Sequence, residues 1–307
     1  MSFDDRDGYI WMDGEFVDWR EAKVHVLTHT LHYGLGVFEG VRAYATSTGP
    51  AIFRLERHSE RLLQSAKIMG MKIPFSAEQI SQAQLECVKK NNLKSAYIRP
   101  MAWYGSEAMG LHAKGLKVHL MVAAWEWGSY LGDDALKNGI RAKTSSFNRH
   151  HVNSTMAKAK TNGHYTNSIM ATHEAERCGY DEALLLDTNG YVAEGSGENI
   201  FIVRRGKIYT PELTSALEGI TRDTISEIAS QDMGLQIVEK QITRDEVYTA
   251  DEAFFTGTAA EVTPIRSLDD REIGDGKAGP ITLEIQRRYF DVVYGRDPNR
   301  SSWLSHV

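Results

Sequence analysis

Ala183-Leu184-Leu185-Leu186-Asp187-Thr188-Asn189-Gly190-Tyr191-Val192-Ala193-Glu194-Gly195-Ser196-Gly197-Glu198-Asn199-Ile200-Phe201-Ile202-Val203-Arg204-Arg205-Gly206-Lys207-Ile208-Tyr209 reads as a run of short strands folded back on one another. Ala183–Leu186 and Tyr191–Ala193 flank Asn189-Gly190, and Ile200–Val203 and Lys207–Tyr209 flank Arg205-Gly206. Asn-Gly tolerates the positive φ that a tight hairpin turn requires, so the stretch predicts antiparallel pairing. The same signal stands near the N-terminus, where Asp13-Gly14 separates Tyr9-Ile10-Trp11-Met12 from Glu15-Phe16-Val17. Strands joined this way argue for antiparallel-rich sheets with helices packed outside, an α+β fold, and against a doubly wound parallel sheet. Gly195-Ser196-Gly197 lacks a third glycine and leads into a strand, so it is not a dinucleotide fingerprint.

Outward from this stretch the pattern stays mixed. Leu55, Leu62, Ala66 and Met69 recur at helical spacing over about Glu56–Met69, and Gly70 can end that helix. Ser76 with Gln79 three residues on forms a capping box for a second helix. Ser95–Trp103 and Lys117–Trp127 are strand-like; the latter is apolar on both faces, which suits an inner strand. Gly128-Ser129-Tyr130-Leu131-Gly132-Asp133-Asp134 breaks the pattern and marks a boundary. The expected division is a small N-terminal α+β domain at 1–127, an interdomain loop at 128–135 and a large C-terminal α+β domain at 136–307. In the latter, a helix runs from near Thr221 to near Gly234, Thr243-Arg244-Asp245-Glu246 is a capping box, Glu252–Thr256 is a strand, and Pro280–Tyr294 is a helix.

Composition narrows the function by exclusion. The length of 307 residues suits two domains at roughly 100–200 residues each. A net charge of -6 gives no basic surface for phosphates along nucleic acid. No stretch approaches the roughly 20 apolar residues of a membrane span. The start, Met1-Ser2-Phe3-Asp4-Asp5-Arg6-Asp7, has no apolar core of a secretory signal, so a soluble cytoplasmic chain is expected. Cys87 and Cys178 are far apart and show no metal or redox spacing, which reads as two unpaired thiols.

Some residues suit a phosphate-bearing aldehyde cofactor, which needs an amine, an acid for its ring nitrogen and a cradle for its phosphate. The amine is Lys158 or Lys160, in Ala157-Lys158-Ala159-Lys160-Thr161-Asn162-Gly163-His164-Tyr165; spacing alone does not choose between them. The acid is Glu194, at a strand end where two glycines let the backbone pass close to a planar ligand. Glu218-Gly219-Ile220-Thr221-Arg222-Asp223 opens a helix whose free N–H groups suit a phosphate. Phe255-Thr256-Gly257-Thr258-Ala259-Ala260 leaves a strand through small and hydroxyl residues, and Arg61 offers a counter-charge. Each has a plainer reading: a solvated lysine, a turn, an ordinary helix start, a surface salt bridge.

Taken together, these segments resemble a family. His32-Tyr33-Gly34, Phe38-Glu39-Gly40-Val41-Arg42-Ala43-Tyr44, Ser95-Ala96-Tyr97-Ile98-Arg99-Pro100, Lys160 with Gly163 and Tyr165, Glu194-Gly195-Ser196-Gly197-Glu198-Asn199, Gly219-Ile220-Thr221-Arg222 and Gly257-Thr258-Ala259-Ala260-Glu261 occur in one order over almost the whole chain. The chain is similar to bacterial branched-chain amino acid transaminases, which are pyridoxal 5'-phosphate enzymes of fold type IV. The resemblance implies two α+β domains with the active site at their interface. It also selects Lys160 as the Schiff-base lysine and proton-transfer base, because the family's lysine lies five residues before the tyrosine.

The resemblance further implies a role for each matching residue. Tyr165 would meet the cofactor's ring oxygen and Glu194 its ring nitrogen; Arg61, Gly219, Ile220, Thr221, Gly257 and Thr258 would hold the phosphate. Phe38, Tyr130 and Trp127 would line an apolar pocket for the branched side chain, and Gly40 and Arg42 would also lie at the substrate. Tyr97 and the Thr258–Ala259 backbone would take the α-carboxylate, and Arg99 the distal carboxylate of glutamate. Tyr33, Met109 and Leu111 would come from a neighbouring subunit, making a homodimer the minimal unit and a hexamer conceivable. The partners implied are amino acids and 2-oxo acids, with no nucleic acid and no membrane. No metal is expected: His29, His32, His150 and His151 lack carboxylate or cysteine partners at ligand spacing. His112 and Lys114 are expected to face solvent. The alternatives on the same fold are a D-amino acid or (R)-amine transaminase and an aminodeoxychorismate lyase. Outside it stands an inactive protein that only binds the cofactor.

Overall fold

Asp13 and Gly14 both have positive φ, 52° and 107°, and the hairpin they make pairs Met12 with Glu15 and Tyr9 with Asp18. In the computed structural model, which describes residues 2–128 and 132–307, this hairpin is one end of an eight-stranded sheet. From the other end its strands run Leu304–His306, Gly49–Phe53, Val41–Thr46, Ala96–Tyr104, Val118–Trp125, Tyr9–Met12 and Glu15–Asp18, with Gly36–Phe38 also paired to Ala96–Tyr104. Val118–Trp125 is an inner strand, as its two apolar faces require. Helices Leu55–Ile68 and Ala77–Lys90 cover one face of the sheet, and the Ser76–Gln79 capping box is formed. Leu62, Ala66, Ile80 and Val88 pack there with Ile98, Leu120, Val122 and Ala124. Burying each larger side chain contributes about 1.5–3 kcal/mol. Because strand residues alternate between faces, Tyr97, Arg99, Met121, Ala123 and Trp125 are left on the opposite face.

A second sheet runs Val192–Gly195, Glu182–Leu186, Ile140–Thr144, Glu261–Leu268, Glu252–Gly257, Asn199–Arg204, Lys207–Pro211 and Ile237–Lys240, with Arg271–Glu272 beside Glu261–Leu268. The hairpins read from the sequence are there: Val192 pairs with Leu186, and Arg204 with Lys207. The sheet is not purely antiparallel. Ile140–Thr144 lies parallel to Glu182–Leu186 and to Glu261–Leu268, and Lys207–Pro211 lies parallel to Ile237–Lys240. A parallel partner needs a long crossover, which helix Tyr165–Arg177 supplies in the first case and helix Ile220–Met233 in the last.

The chain divides into two compact units. One holds Met1–Trp127, Ala159–Gly163 and Val292–Val307; the other holds Gly128–Lys158 and His164–Asp291. The break at 127/128 coincides with the change in sequence pattern. Two pieces of the expected 136–307 domain, however, fold into the first unit. Leu304–His306 adds as an edge strand to Gly49–Phe53, and Thr161 bridges Val37 while the Phe38 N–H donates to the Lys160 carbonyl at 3.1 Å. The Lys160 segment therefore belongs to the first unit, not to the C-terminal domain to which the sequence assigned it. Asp133–Asn138, partly inside the expected interdomain loop, is a short helix. Ser129, Tyr130 and Leu131 lie outside the described residues, and with them the reading of Tyr130.

Glu252 shows how a buried acid can serve the fold alone. Its carboxylate accepts from Ile281 N at 3.0 Å, Thr282 N at 2.7 Å and Thr282 Oγ1 at 2.7 Å, closing the first turn of helix Pro280–Val293. Loss of such a cap costs about 0.5–2 kcal/mol. Glu252→Ala is expected to lower the melting temperature by several degrees in a thermal scan without changing steady-state kinetics.

Both cysteines are free. Burial pushes the Cys87 thiol up to about 12, while Cys178 is exposed. Among the described residues no helix is long and apolar enough to cross a membrane.

Candidate active site

The first unit holds Lys160 by its backbone. Its N–H donates to Ser65 Oγ at 3.0 Å and its carbonyl accepts from Phe38 N; on the flanks, Val37 bridges Thr161 and Gly163 N–H donates to the Gly34 carbonyl at 3.1 Å. This explains the paired glycines of the motif strings, because a Cβ on Gly34, which has φ +70°, would lie 3.3 Å from Gly163 Cα. Lys160 Nζ sits 5.1 Å from the Phe38 ring centroid. Lys158 is occupied differently: its Nζ donates to the Leu213 and Ala216 carbonyls and pairs with Glu218 at 3.5 Å. It ties down a loop.

Phe38, Arg99, Tyr97 and Trp127 form a connected series. Arg99 lies 4.7 Å over the Phe38 ring and donates to the Tyr97 hydroxyl at 3.2 Å. Tyr97 meets Trp127 edge-on, with centroids 4.5 Å apart. Position 40 must be glycine, since a Cβ there would run into the Tyr97 hydroxyl. Arg42 is buried, with its guanidinium 5.9 Å from the Tyr44 ring. Arg99 Nε is buried with no partner among the described residues. An orphaned buried donor is uncommon and fits a group still to be bound.

Beneath these, Glu39 is fully buried, and one oxygen accepts from Arg61 Nε at 2.6 Å. The other accepts from Arg61 Nη2 at 2.8 Å and from His58 Nδ1 at 2.8 Å. Burial alone would raise the Glu39 carboxyl, but the charge and hydrogen bonds of Arg61, with the His58 bond, hold it well below the usual carboxylate range. Burial depresses His58, which therefore stays neutral and donates from Nδ1. Arg61 thus has two donors committed to Glu39.

The second unit holds Glu194 and the segments expected to cradle a phosphate. Glu194 Oε1 accepts from Arg149 Nε at 2.7 Å and pairs with Arg149 Nη2 at 2.5 Å, and Oε2 accepts from Leu217 N at 3.1 Å. Arg149 is steadied by Asn167 at 3.1 Å. Asn199 Nδ2 donates to the Leu217 carbonyl at 3.0 Å, so the turn before Gly219 is pinned from both sides. Helix Ile220–Met233 then starts at Gly219 with no side chain capping it. Its first N–H groups are the free donors a phosphate takes. Thr256 Oγ1, just before the Gly257-Thr258-Ala259 turn, is buried without a partner among the described residues. The uncapped helix start and the orphaned hydroxyl fit a bound phosphate. Tyr165, half-buried, opens helix Tyr165–Arg177.

Arg149 and the clasp formed by Glu39 and His58 were not singled out by sequence reasoning. Arg149 carries no local pattern. Glu39 did carry a signal: an acid inside an apolar strand stretch, opposite a helix with His58 and Arg61 three residues apart. His150 and His151 make only local contacts. His151 Nδ1 accepts from Asn153 N at 3.2 Å, and the rings of His150 and His164 stand 5.4 Å apart. Among the described residues no group of three or more potential metal ligands occurs. His112 and Lys114 are exposed.

A model of the amino-transferase class IV family matches residues 36–268. The chain belongs to the class IV amino-transferase family. It is similar to the branched-chain-amino-acid aminotransferase of Pseudomonas aeruginosa, with 61% identity over the whole of both chains. Among solved structures it is similar to the Escherichia coli branched-chain amino acid aminotransferase, at TM-score 0.95, 44% identity, and 98% and 99% coverage of the two chains. It is also similar to a T.th. branched-chain amino acid aminotransferase with pyridoxamine 5'-phosphate, at TM-score 0.95 and 51% identity, again with 98% and 99% coverage.

Proposed function

We propose that the chain is a cytoplasmic, pyridoxal 5'-phosphate-dependent transaminase that exchanges amino groups between L-leucine, L-isoleucine or L-valine and 2-oxoglutarate, working as a homodimer. The observation that carries this reading is the backbone clamp on Lys160, which presents its amine beside Phe38. When bound, the cofactor supplies an electron-withdrawing ring that stabilises negative charge at the substrate Cα. Lys160 would hold the cofactor covalently, and its amine would move the proton at the substrate Cα. Glu194 would accept from the ring N–H, held in place by its hydrogen bond from Arg149. Tyr165 donates to the ring oxygen. Arg61, the Ile220 and Thr221 N–H groups, Gly219, Gly257 and Thr258 hold the phosphate.

Phe38 and Trp127 would line an apolar space for the branched side chain, with Gly40 and Arg42 also at the substrate, while Tyr97 and Ala259 would take the α-carboxylate. Dual specificity follows from Arg99. Burying a carboxylate is costly unless it is paired, so the distal charge of glutamate needs a cation at the edge of the apolar space, and Arg99 has an uncommitted buried donor. A hydrogen bond to a charged group is worth about 1.5–3 kcal/mol. Arg99→Met should therefore raise the KM for 2-oxoglutarate about 10- to 100-fold and that for L-isoleucine much less. Glutamate formed from L-isoleucine and 2-oxoglutarate tests the reading; activity confined to D-alanine or (R)-amines would sink it.

A further inference from the structure

Tyr33 and the Met109–Leu111 tip, far apart in sequence, meet at Gly110. The Gly110 N–H donates to the Tyr33 hydroxyl at 3.2 Å, and the Gly110 carbonyl lies 2.8 Å from His29 Nε2. A carbonyl only accepts, so His29 carries its hydrogen on Nε2. His29 and Tyr33 lie one turn apart on the short helix His29–Tyr33, and together they hold both polar groups of a single loop residue. Gly110 has φ +113°, a backbone conformation that suits glycine. His29 is buried, with its ring 4.5 Å from that of Tyr33 and 5.9 Å from that of Tyr104. Its Nδ1 is buried with no partner among the described residues. A ring needed only for packing would carry no polar atoms, so an imidazole with one idle nitrogen is explained by what the other nitrogen holds. Outside this pin the apolar side chains face outward: Tyr33 is 41%, Met109 45% and Leu111 86% exposed.

We propose that His29 is a positioning residue acting in trans. It fixes Tyr33 and the Met109–Leu111 tip as one preformed patch, and that patch closes the branched-side-chain pocket of a second copy of this chain. The proposal rests on the shared-site dimer of the reading above. A patch already in place need not be ordered when substrate binds, and that saving appears in KM.

His29→Phe keeps the ring and removes the donor. With one net hydrogen bond lost, the KM for L-leucine should rise about 3- to 10-fold, with the KM for 2-oxoglutarate and the visible absorbance of bound cofactor unchanged. His29→Gln, which restores a donor, should return KM toward its original value. Subunit hybrids decide whether the effect is in trans. In a hybrid of a His29→Phe chain with a Lys160→Ala chain, the functional lysine is on the former and the patch facing it comes from the latter, with His29 intact. The hybrid should therefore show the unmodified KM. A hybrid that keeps the raised KM would overturn the proposal, as would an unchanged KM in the His29→Phe homodimer. Tyr33→Phe, which removes only the hydroxyl that accepts from Gly110, serves in the same hybrid where His29→Phe is unstable. Sedimentation separates the two levels: an unmodified chain that is monomeric while it transaminates leucine would sink the shared-site reading and this proposal with it.

Discussion

Lys160→Ala is expected to lower transamination of L-isoleucine by roughly 10³-fold or more, because it removes both the covalent anchor and the base that moves the proton. The fold should survive. The segment is held by backbone bonds to Ser65, Phe38 and Gly34 and by the Val37–Thr161 bridge, none of which uses the lysine side chain. Thermal unfolding of the variant without cofactor should therefore match that of the unmodified chain. Lys158→Ala provides the contrast. Its ammonium ties down the loop around Leu213 and Ala216, so that variant should lose some stability and keep most of its turnover. Full activity in Lys160→Ala would end the mechanistic reading.

Glu39→Gln is expected to destabilise the chain by about 3–5 kcal/mol, the effect of leaving one partner of a buried ion pair without the other. Arg61 and His58 are both largely buried against Glu39, with side chains 11% and 2% exposed, so water cannot replace the lost charge. The pair is not therefore a net source of stability; an apolar trio of the same volume could do as well. What the clasp secures is the position of Arg61, and the variant should also release cofactor faster on dialysis, read as loss of visible absorbance. The pH dependence has a definite sign. Glu39 is held below its ordinary 4.5, so the unfolded chain takes up the proton first as pH falls. Its contribution is complete above that value and is lost progressively below it. His58 is depressed from 6.5, so its protonation also favours the unfolded chain as pH drops, beginning near that value. Melting temperatures taken from pH 7 down to pH 3 should fall less steeply below pH 4.5 in Glu39→Gln than in the unmodified chain.

Local chemistry made much of this legible in the sequence. Asp13-Gly14 and Arg205-Gly206 are turns because positive φ is needed there, and both have it. Ser76 and Thr243 cap the helices that their boxes announced. Glu194 and the Gly219 helix start could be found because strand ends and helix starts leave a mark on neighbouring residues. Arg149 could not, since its pairing with Glu194 is made across folded backbone 45 positions away. The short strands Gly36–Phe38 and Val41–Thr46 were hidden for a related reason: Phe38-Glu39-Gly40 breaks the apolar alternation, and the break is where Glu39 turns in to meet Arg61. The Lys160 segment was assigned to the wrong unit because five residues, Ala159–Gly163, carry no composition of their own; their place is set by backbone bonds to Gly34 and Phe38.

The most direct test is the visible absorbance of the purified chain supplied with pyridoxal 5'-phosphate, followed as L-isoleucine and, separately, D-alanine are added with no 2-oxo acid present. The account predicts a visible band from cofactor bound at Lys160 that disappears with L-isoleucine and persists with D-alanine. A band lost only with D-alanine would contradict the substrate assignment, and no band at all would contradict the assignment of Lys160 and everything built on it.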